Sequence, residues 1–277
     1  MKINTDHYFT GKNRHKPCED YAVSGMEPLP YAILTDGCSS SPGSHMGAML
    51  LCLAAGKHLQ KIFANGSLPC EPDYKEPDYK DLGKSIILQT SFLSRFLDLP
   101  QTALDATLMI AFYKDGFVHV FVYGDGFVIA QKKEEPEPRI VEISFETNAP
   151  YYLSYQLDKA RDQQYGIEMN GKKIIKSQGE SLETGYDSPL FYKFSAQDFS
   201  TIIIASDGLG AFADKMNPEK GLLPESDVIR EFTGFKNFNG EFVKRRARRA
   251  VNTYEKQSIF NTDDISLAGI HIMQAKQ

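Results

Sequence analysis

The sequence contains no tryptophan, and only four of its 277 residues are cysteine. Those four, Cys18, Cys38, Cys52 and Cys70, form no C-x-x-C pair, which excludes a zinc knuckle and a thioredoxin-like redox motif. Free thiols in a reducing cytoplasm are the expected state. The six histidines are scattered without an H-E-x-x-H pair, so a catalytic metal would need oxygen ligands. No apolar run approaches the roughly 18 residues of a membrane-spanning helix. The opening MKINTDHYFTGKNRHKPCED lacks the apolar stretch of a secretory leader. Neither a membrane partner nor export is expected, and a cytoplasmic location is. Positive charge is in short supply too. With 31 Lys and Arg against 36 Asp and Glu, the net charge is −5, a poor basis for nucleic-acid binding.

What is present fits a globular chain: 42% hydrophobic and 24% charged residues, too apolar for disorder. The length is ample for a core without disulfide staples. No second core is evident. The expectation is one domain over 1–277, with an exposed loop near 66–82 and a polar insertion near 145–195.

Short apolar runs alternate with longer helical stretches. YAVSG (21–25) and YAILTD (31–36) read as strands. After Gly43, Met46, Leu50, Leu53 and Ala54 recur at helical spacing. EPDYK then occurs twice in tandem, at 71–75 and 76–80, and its prolines read as a loop. Residues 83–97 look helical again. Three β-rich runs follow at 106–113, 117–123 and 126–131, split by Lys114-Asp115-Gly116 and Gly124-Asp125. Such Asp-Gly turns signal antiparallel hairpins. His119, inside an apolar run, reads as a satisfied sheet histidine. Further strands are expected at 139–143, in KKIIKS, at 201–206 (TIIIAS) and at 265–272 (ISLAGIHI). The basic run Lys244, Arg245, Arg246, Arg248 and Arg249 is interrupted at helical spacing by Val243, Ala247 and Ala250. That pattern describes an amphipathic helix with a charged outer face.

The acids are more informative than their number. Asp20 precedes YAVSG with Glu19 beside it, Asp36 ends YAILTD, and Asp125 lies in a turn. Asp207 ends TIIIAS, and Asp263 precedes ISLAGI. If neighbouring strands pair, several of these ends meet at one rim. Converging carboxylates raise one another's pKa unless a cation neutralises them. All-oxygen ligation suits Mg²⁺ or Mn²⁺. Glycine after the ligand, as at Gly37 and Gly208, lets backbone approach closely. Any single Asp-Gly is also a common turn.

In order, the chain carries K-P-C-E-D-Y, A-I-L-T-D-G, A-T-L-M-I-A-F, Y-G-D-G-F-V-I-A, I-I-I-A-S-D-G-L and T-D-D-I-S-L. This series resembles the metal-dependent serine/threonine protein phosphatases of type 2C, and especially their divergent bacterial branch. The resemblance spans about residues 14 to 272. It implies an α+β fold, a four-layer α-β-β-α sandwich of two antiparallel sheets flanked by helices. It also implies two Mn²⁺ or Mg²⁺ ions, with a hydroxide bridging them as the nucleophile. By position, Asp36 would bridge the ions and Gly37 would offer its carbonyl. Asp207 and Asp263 would hold the first ion, with Glu19 and Asp20 facing the second. Asp125 falls where relatives hold a third, weaker ion, and Asp264 where a supporting Asn or Asp stands. The substrate would be a phosphoserine or phosphothreonine protein, opposing a serine/threonine kinase in signalling.

Three departures stand out. Cys38 occupies the slot of a family histidine held to protonate the leaving alcohol, and a neutral thiol supplies no imidazolium charge. His15 occupies the slot of a phosphate-gripping arginine, with Arg14 beside it offering bidentate geometry. Ala211 replaces an acid near the third-ion site. These departures motivate an alternative, a pseudophosphatase that binds phosphoproteins without turnover. A hydrolase acting on small phosphate esters is a further reading.

Overall fold

The computed structural model describes residues 2–12, 16–64, 77–169 and 171–273 of the chain. In chain order its elements begin β1 (Lys2–Thr10), β2 (Asp20–Gly25), β3 (Tyr31–Gly37), α1 (Ser44–Ala64) and α2 (Tyr79–Phe96). Next come β4 (Ala106–Lys114), β5 (Phe117–Tyr123), β6 (Gly126–Lys132), β7 (Arg139–Phe145) and α3 (Lys159–Gln164). Then follow β8 (Lys173–Ser177), β9 (Glu180–Thr184), β10 (Phe191–Ser195), β11 (Phe199–Ala205) and β12 (Phe212–Asp214). The last are α4 (Glu225–Thr233), α5 (Phe242–Lys256), β13 (Ile259–Asn261) and β14 (Ile265–Met273).

Two antiparallel sheets hold most of the strands. One runs β1-β14-β11-β6-β7-β8-β9 and the other β10-β5-β4-β3-β2. Alternation along each strand divides its side chains between two cores. Leu34, Met109, Val120, Val128, Ile202 and Ile270 meet between the sheets. Ile33, Leu108 and Ile110 face the opposite way, onto Leu51, Leu59, Ile86 and Ile87 of α1 and α2. Ile129, Ile203 and Leu267 face outward onto Val228, Phe232, Val243 and Ala247 of α4 and α5. The result is the four-layer α-β-β-α sandwich. Strands buried on both faces read as unbroken apolar runs, which is why TIIIAS and ATLMIAFY lack a polar alternation.

Helix ends are fixed by identifiable groups. Asp78 accepts hydrogen bonds from the Lys80 and Asp81 amides and starts α2 at Tyr79. The second EPDYK copy therefore ends in a helix, where a loop was expected through 82. The first copy, and Cys70, lie outside the described residues. Asp6 of β1 accepts from the Lys244 amide at 2.9 Å, placing a carboxylate at the positive end of α5. Gly47 of α1 passes so close to the 103–104 backbone that an added Cβ would lie 1.7 Å from the Ala103 oxygen. His119 is buried in β5, its ring 5.0 Å from that of Phe112. The expected insertion divides: β8 and β9 extend the larger sheet and β10 edges the smaller, while 153–169 is helical. No described helix is long and apolar enough to cross a membrane.

Candidate active site

Strand register brings the acids together. Asp20 on β2 pairs across from Asp36 on β3, and Asp36 pairs across from Thr107 on β4. Thr107 donates from Oγ1 to Asp125 Oδ1 at 2.6 Å, so the β5–β6 turn is held to the same rim. In the other sheet Ala205 pairs with Leu267, which sets Asp207 beyond the end of β11 and Asp263 before β14. Ser206 then links the sheets, donating from Oγ to Asp20 Oδ2 at 2.7 Å. Its own Oγ accepts from the Ser266 amide at 3.0 Å. Gly208 makes the approach possible, because a Cβ there would lie 1.8 Å from the Asp264 oxygen.

The carboxylates feel one another. Burial first, and then the charges of Asp20, Asp207 and Asp125, hold the Asp36 carboxyl well above the usual range. Burial pushes Asp20 up to about 7, against the Ser206 hydrogen bond that favours its ionised form. Burial, joined by the Asp207 charge, carries Asp125 to about 7 as well. Asp207 stands at the solvent-facing mouth, yet the protein packed around it and the charge of Asp263 still raise it. Lys12 opposes that rise.

Neighbouring residues lock the rim. Asp264 is buried and accepts from the Lys12 amide at 2.8 Å and the Glu19 amide at 2.6 Å. Glu19 accepts at Oε1 from Ser44 Oγ at 2.5 Å, and its carbonyl accepts from the Gly37 amide at 3.1 Å. Asp263 accepts at Oδ1 from Lys12 Nζ at 2.7 Å. Arg14 and His15, the expected phosphate contacts, lie outside the described residues.

The donor set fits a hard cation in its chemistry. It is all oxygen and more anionic than its surroundings can offset, and the buried Asp20 Oδ1 has no hydrogen-bond partner among the described residues. As they stand, no three such side chains among the described residues form a closed coordination group.

Three participants escaped the sequence reading. Lys12 sat in an undistinguished polar run. Tyr152 was one of three clustered tyrosines; it is buried, with its hydroxyl close to Cys38 and within the fields of Asp125 and Asp36. Asp105 immediately precedes a strand, the same signal that marked the other acids. It is buried and accepts from Ser154 Oγ at 2.6 Å, Ser41 Oγ at 3.2 Å and Arg161 Nη2 at 2.9 Å. Its carbonyl accepts from the Cys38 amide at 2.8 Å.

A sequence model of the protein phosphatase 2C family matches residues 11–245. No protein among the curated sequences matches the chain. Among solved structures, the fold is similar to a serine/threonine phosphatase from Staphylococcus aureus, with TM-score 0.54 and 12% identity over 99% of this chain and 96% of that one. It is also similar to the catalytic domain of the serine/threonine protein phosphatase PstP in complex with two manganese ions. There the TM-score is 0.51 and the identity 14%, over 98% and 99% of the two chains. A phosphatase 2C from Toxoplasma gondii gives TM-score 0.53 and 13% identity, over 98% and 95%.

Proposed function

The chain belongs to the protein phosphatase 2C family of metal-dependent serine/threonine phosphatases, and from that premise we propose that it hydrolyses phosphoserine and phosphothreonine in proteins at the rim just described. The observation that carries this reading is the meeting of Asp20, Asp36, Asp125 and Asp207 from both sheets, with their carboxyls raised by burial and mutual charge.

Asp36 and the Gly37 carbonyl would hold two divalent ions, Mn²⁺ or Mg²⁺, together with Asp207 and Asp263 on one side and Asp20 and Glu19 on the other. Asp125 would serve a weaker third. Such ions, when bound, activate water at neutral pH and neutralise the phosphoryl oxygens. The protein's own contribution is placement. Asp264 ties the segment that carries Lys12 and Glu19 to the start of β14. Lys12 sets a positive charge at the mouth, where an anionic substrate enters, and Arg14 and His15 would grip the phosphate. Asp105 fastens the segment after Pro150 through Ser154 and Arg161, so that segment would act as a flap over the site. Cys38 offers no cationic acid, which leaves water to protonate the leaving alcohol. The expected setting is cytoplasmic signalling, opposite a serine/threonine kinase.

The test is phosphate release from phosphoserine and phosphothreonine peptides, with Mn²⁺ or Mg²⁺ and after chelation, beside calorimetric Mn²⁺ binding. Asp207→Asn should lower kcat by about 100-fold, or ~2.7 kcal/mol of barrier, and weaken Mn²⁺ binding. Full turnover in chelator, or in Asp207→Asn, would sink the proposal. Cys38 and Ala211 favour one second reading, a pseudophosphatase. Phosphopeptide binding without turnover, indifferent to chelator, would select it.

A further inference from the structure

The outer face of α2 is apolar where a helix facing water should be polar. Phe92 is 74% exposed, Phe96 81% and Leu88 53%. At intervals of four residues these three form one ridge along the helix. Leu93 and Leu97 stand beside them, each more than two-fifths exposed. Gln89 bonds His58 of α1 at 2.9 Å, and Gly43 just ahead of α1 packs beside Leu99 and Ala103 just past α2, so the two helices run antiparallel. With 1.5 Å of rise per residue, Leu53 of α1, also exposed, lies level with the Leu93 turn.

We infer that this face is an interface between two copies of the chain. Area is the first argument. The two phenylalanines leave about 300 Å² of ring surface to water, at roughly 200 Å² per aromatic side chain. The four leucines bring the patch to about 600 Å² per copy, at the upper limit for a monomer's surface and near the ~800 Å² per partner of a standard interface. Shape and charge supply the second argument. A two-fold axis through Phe92 sets Leu88 of each copy against Phe96 of the other, so the ridge complements itself. Interdigitating two such ridges is the commonest helix packing, at about −50°. Lys80 and Lys84 continue the same row beyond Leu88, twelve and eight residues before Phe92, so the like charges lie at the end of the ridge and not at its centre.

Sedimentation velocity of the full chain tests this. The expected species has twice the 31.1 kDa chain mass. Phe92→Glu combined with Phe96→Glu should weaken association at least ~100-fold, about 2.7 kcal/mol, while the variant keeps the wild-type circular dichroism spectrum, because both residues lie on the surface. Phe92→Cys should cross-link to itself under mild oxidation, since the axis brings the two copies of that position together. Arg248→Glu, on α5, should leave association unchanged. A wild-type chain monomeric at the highest concentration reached, or a dimer that survives the double glutamate variant, would overturn the inference. So would a monomer that binds phosphatidylcholine vesicles through the same residues, which would assign the face to a lipid surface.

Discussion

Helices α1 and α2 cover the five-stranded sheet with Leu51, Leu59, Ile86 and Ile87; α4 and α5 cover the seven-stranded sheet with Val228, Phe232, Val243 and Ala247. Inward, the two layers are alike: large aliphatic and aromatic side chains close each core. Outward they diverge. The α5 surface presents Arg245, Arg248, Arg249 and Lys256, with Arg246 paired to Glu231 of α4 at 3.0 Å. The α2 surface presents Leu88, Phe92 and Phe96. A sandwich needs only the inner faces. The outer faces are free to differ, and a residue's exposure, not its place in the fold, shows what the surface is for.

The comparison can be broken from inside first. Each layer has one glycine pressed onto backbone, Gly47 in the first and Gly208 beside the second. Gly47→Ala and Gly208→Ala should each cost about 3 kcal/mol or more in urea unfolding. Only Gly208→Ala should also abolish phosphatase activity, because it pushes Asp207 away from Asp264. Equal loss of activity in both would show that the α1 layer shapes the site as strongly as the α4–α5 layer does. Next, Phe232→Ala should cost about 4 kcal/mol and Ile86→Ala about 3 kcal/mol. A difference much larger than that would mean the two cores are not alike.

A smaller effect concerns pH. Burial lowers His271 to about 4, beside the stacked ring of Phe238 and the Thr201 hydroxyl. The unfolded chain takes up this proton near its ordinary value of about 6.5. Stability from this group is therefore whole above about 6.5 and is lost as pH falls towards 4, by ~1–2 kcal/mol after solvent screening. His271→Asn should flatten that part of the thermal stability profile. His58 in the other layer is lowered by burial in the same direction. The smallest expected effects are on the surfaces. Arg248→Glu and Phe96→Gln should each change the Tm of the isolated chain by the equivalent of about 0.5 kcal/mol or less. A large loss in Phe96→Gln would mean that the ring supports its own helix.

Much of the sandwich was legible because buried strands and Asp-Gly turns leave strong local marks. ATLMIAFY, FVHVFVY and GFVIAQ became consecutive strands with the expected turns. β1 gave no such mark. Lys2, Asp6 and His7 break its apolar pattern, and its place is decided by a partner more than 250 residues away. Helix α4 was missed because its sequence, ESDVIREFT, is mostly polar, and Val228, Ile229 and Phe232 acquire meaning only against the sheet. At the site, the acids were legible as strand ends. Their hydrogen-bond partners Ser206 and Thr107 were not, because tertiary pairing brings them there. Asp105 carried the same mark as the others, and only the structure shows that its bonds go to Ser41, Ser154 and Arg161.

β1 has one neighbour in its sheet, β14, and the two pair along their whole length from Lys2–Met273 to Thr10–Ile265. A ribosome adds about 5–20 residues each second. The first strand is thus made tens of seconds before β14, the strand it pairs with. Until then its amide and carbonyl groups, and the Lys12–Glu19 segment that Asp264 later clamps, wait unpaired. The charges at Lys2 and Asp6 that helped hide this strand in the sequence are the kind that discourage a waiting edge from pairing with the wrong chain. An incomplete chain would accordingly hold Asp20, Asp36 and Asp125 on their paired strands but lack Asp263 and Asp264, so the rim closes last, when the two ends of the fold meet.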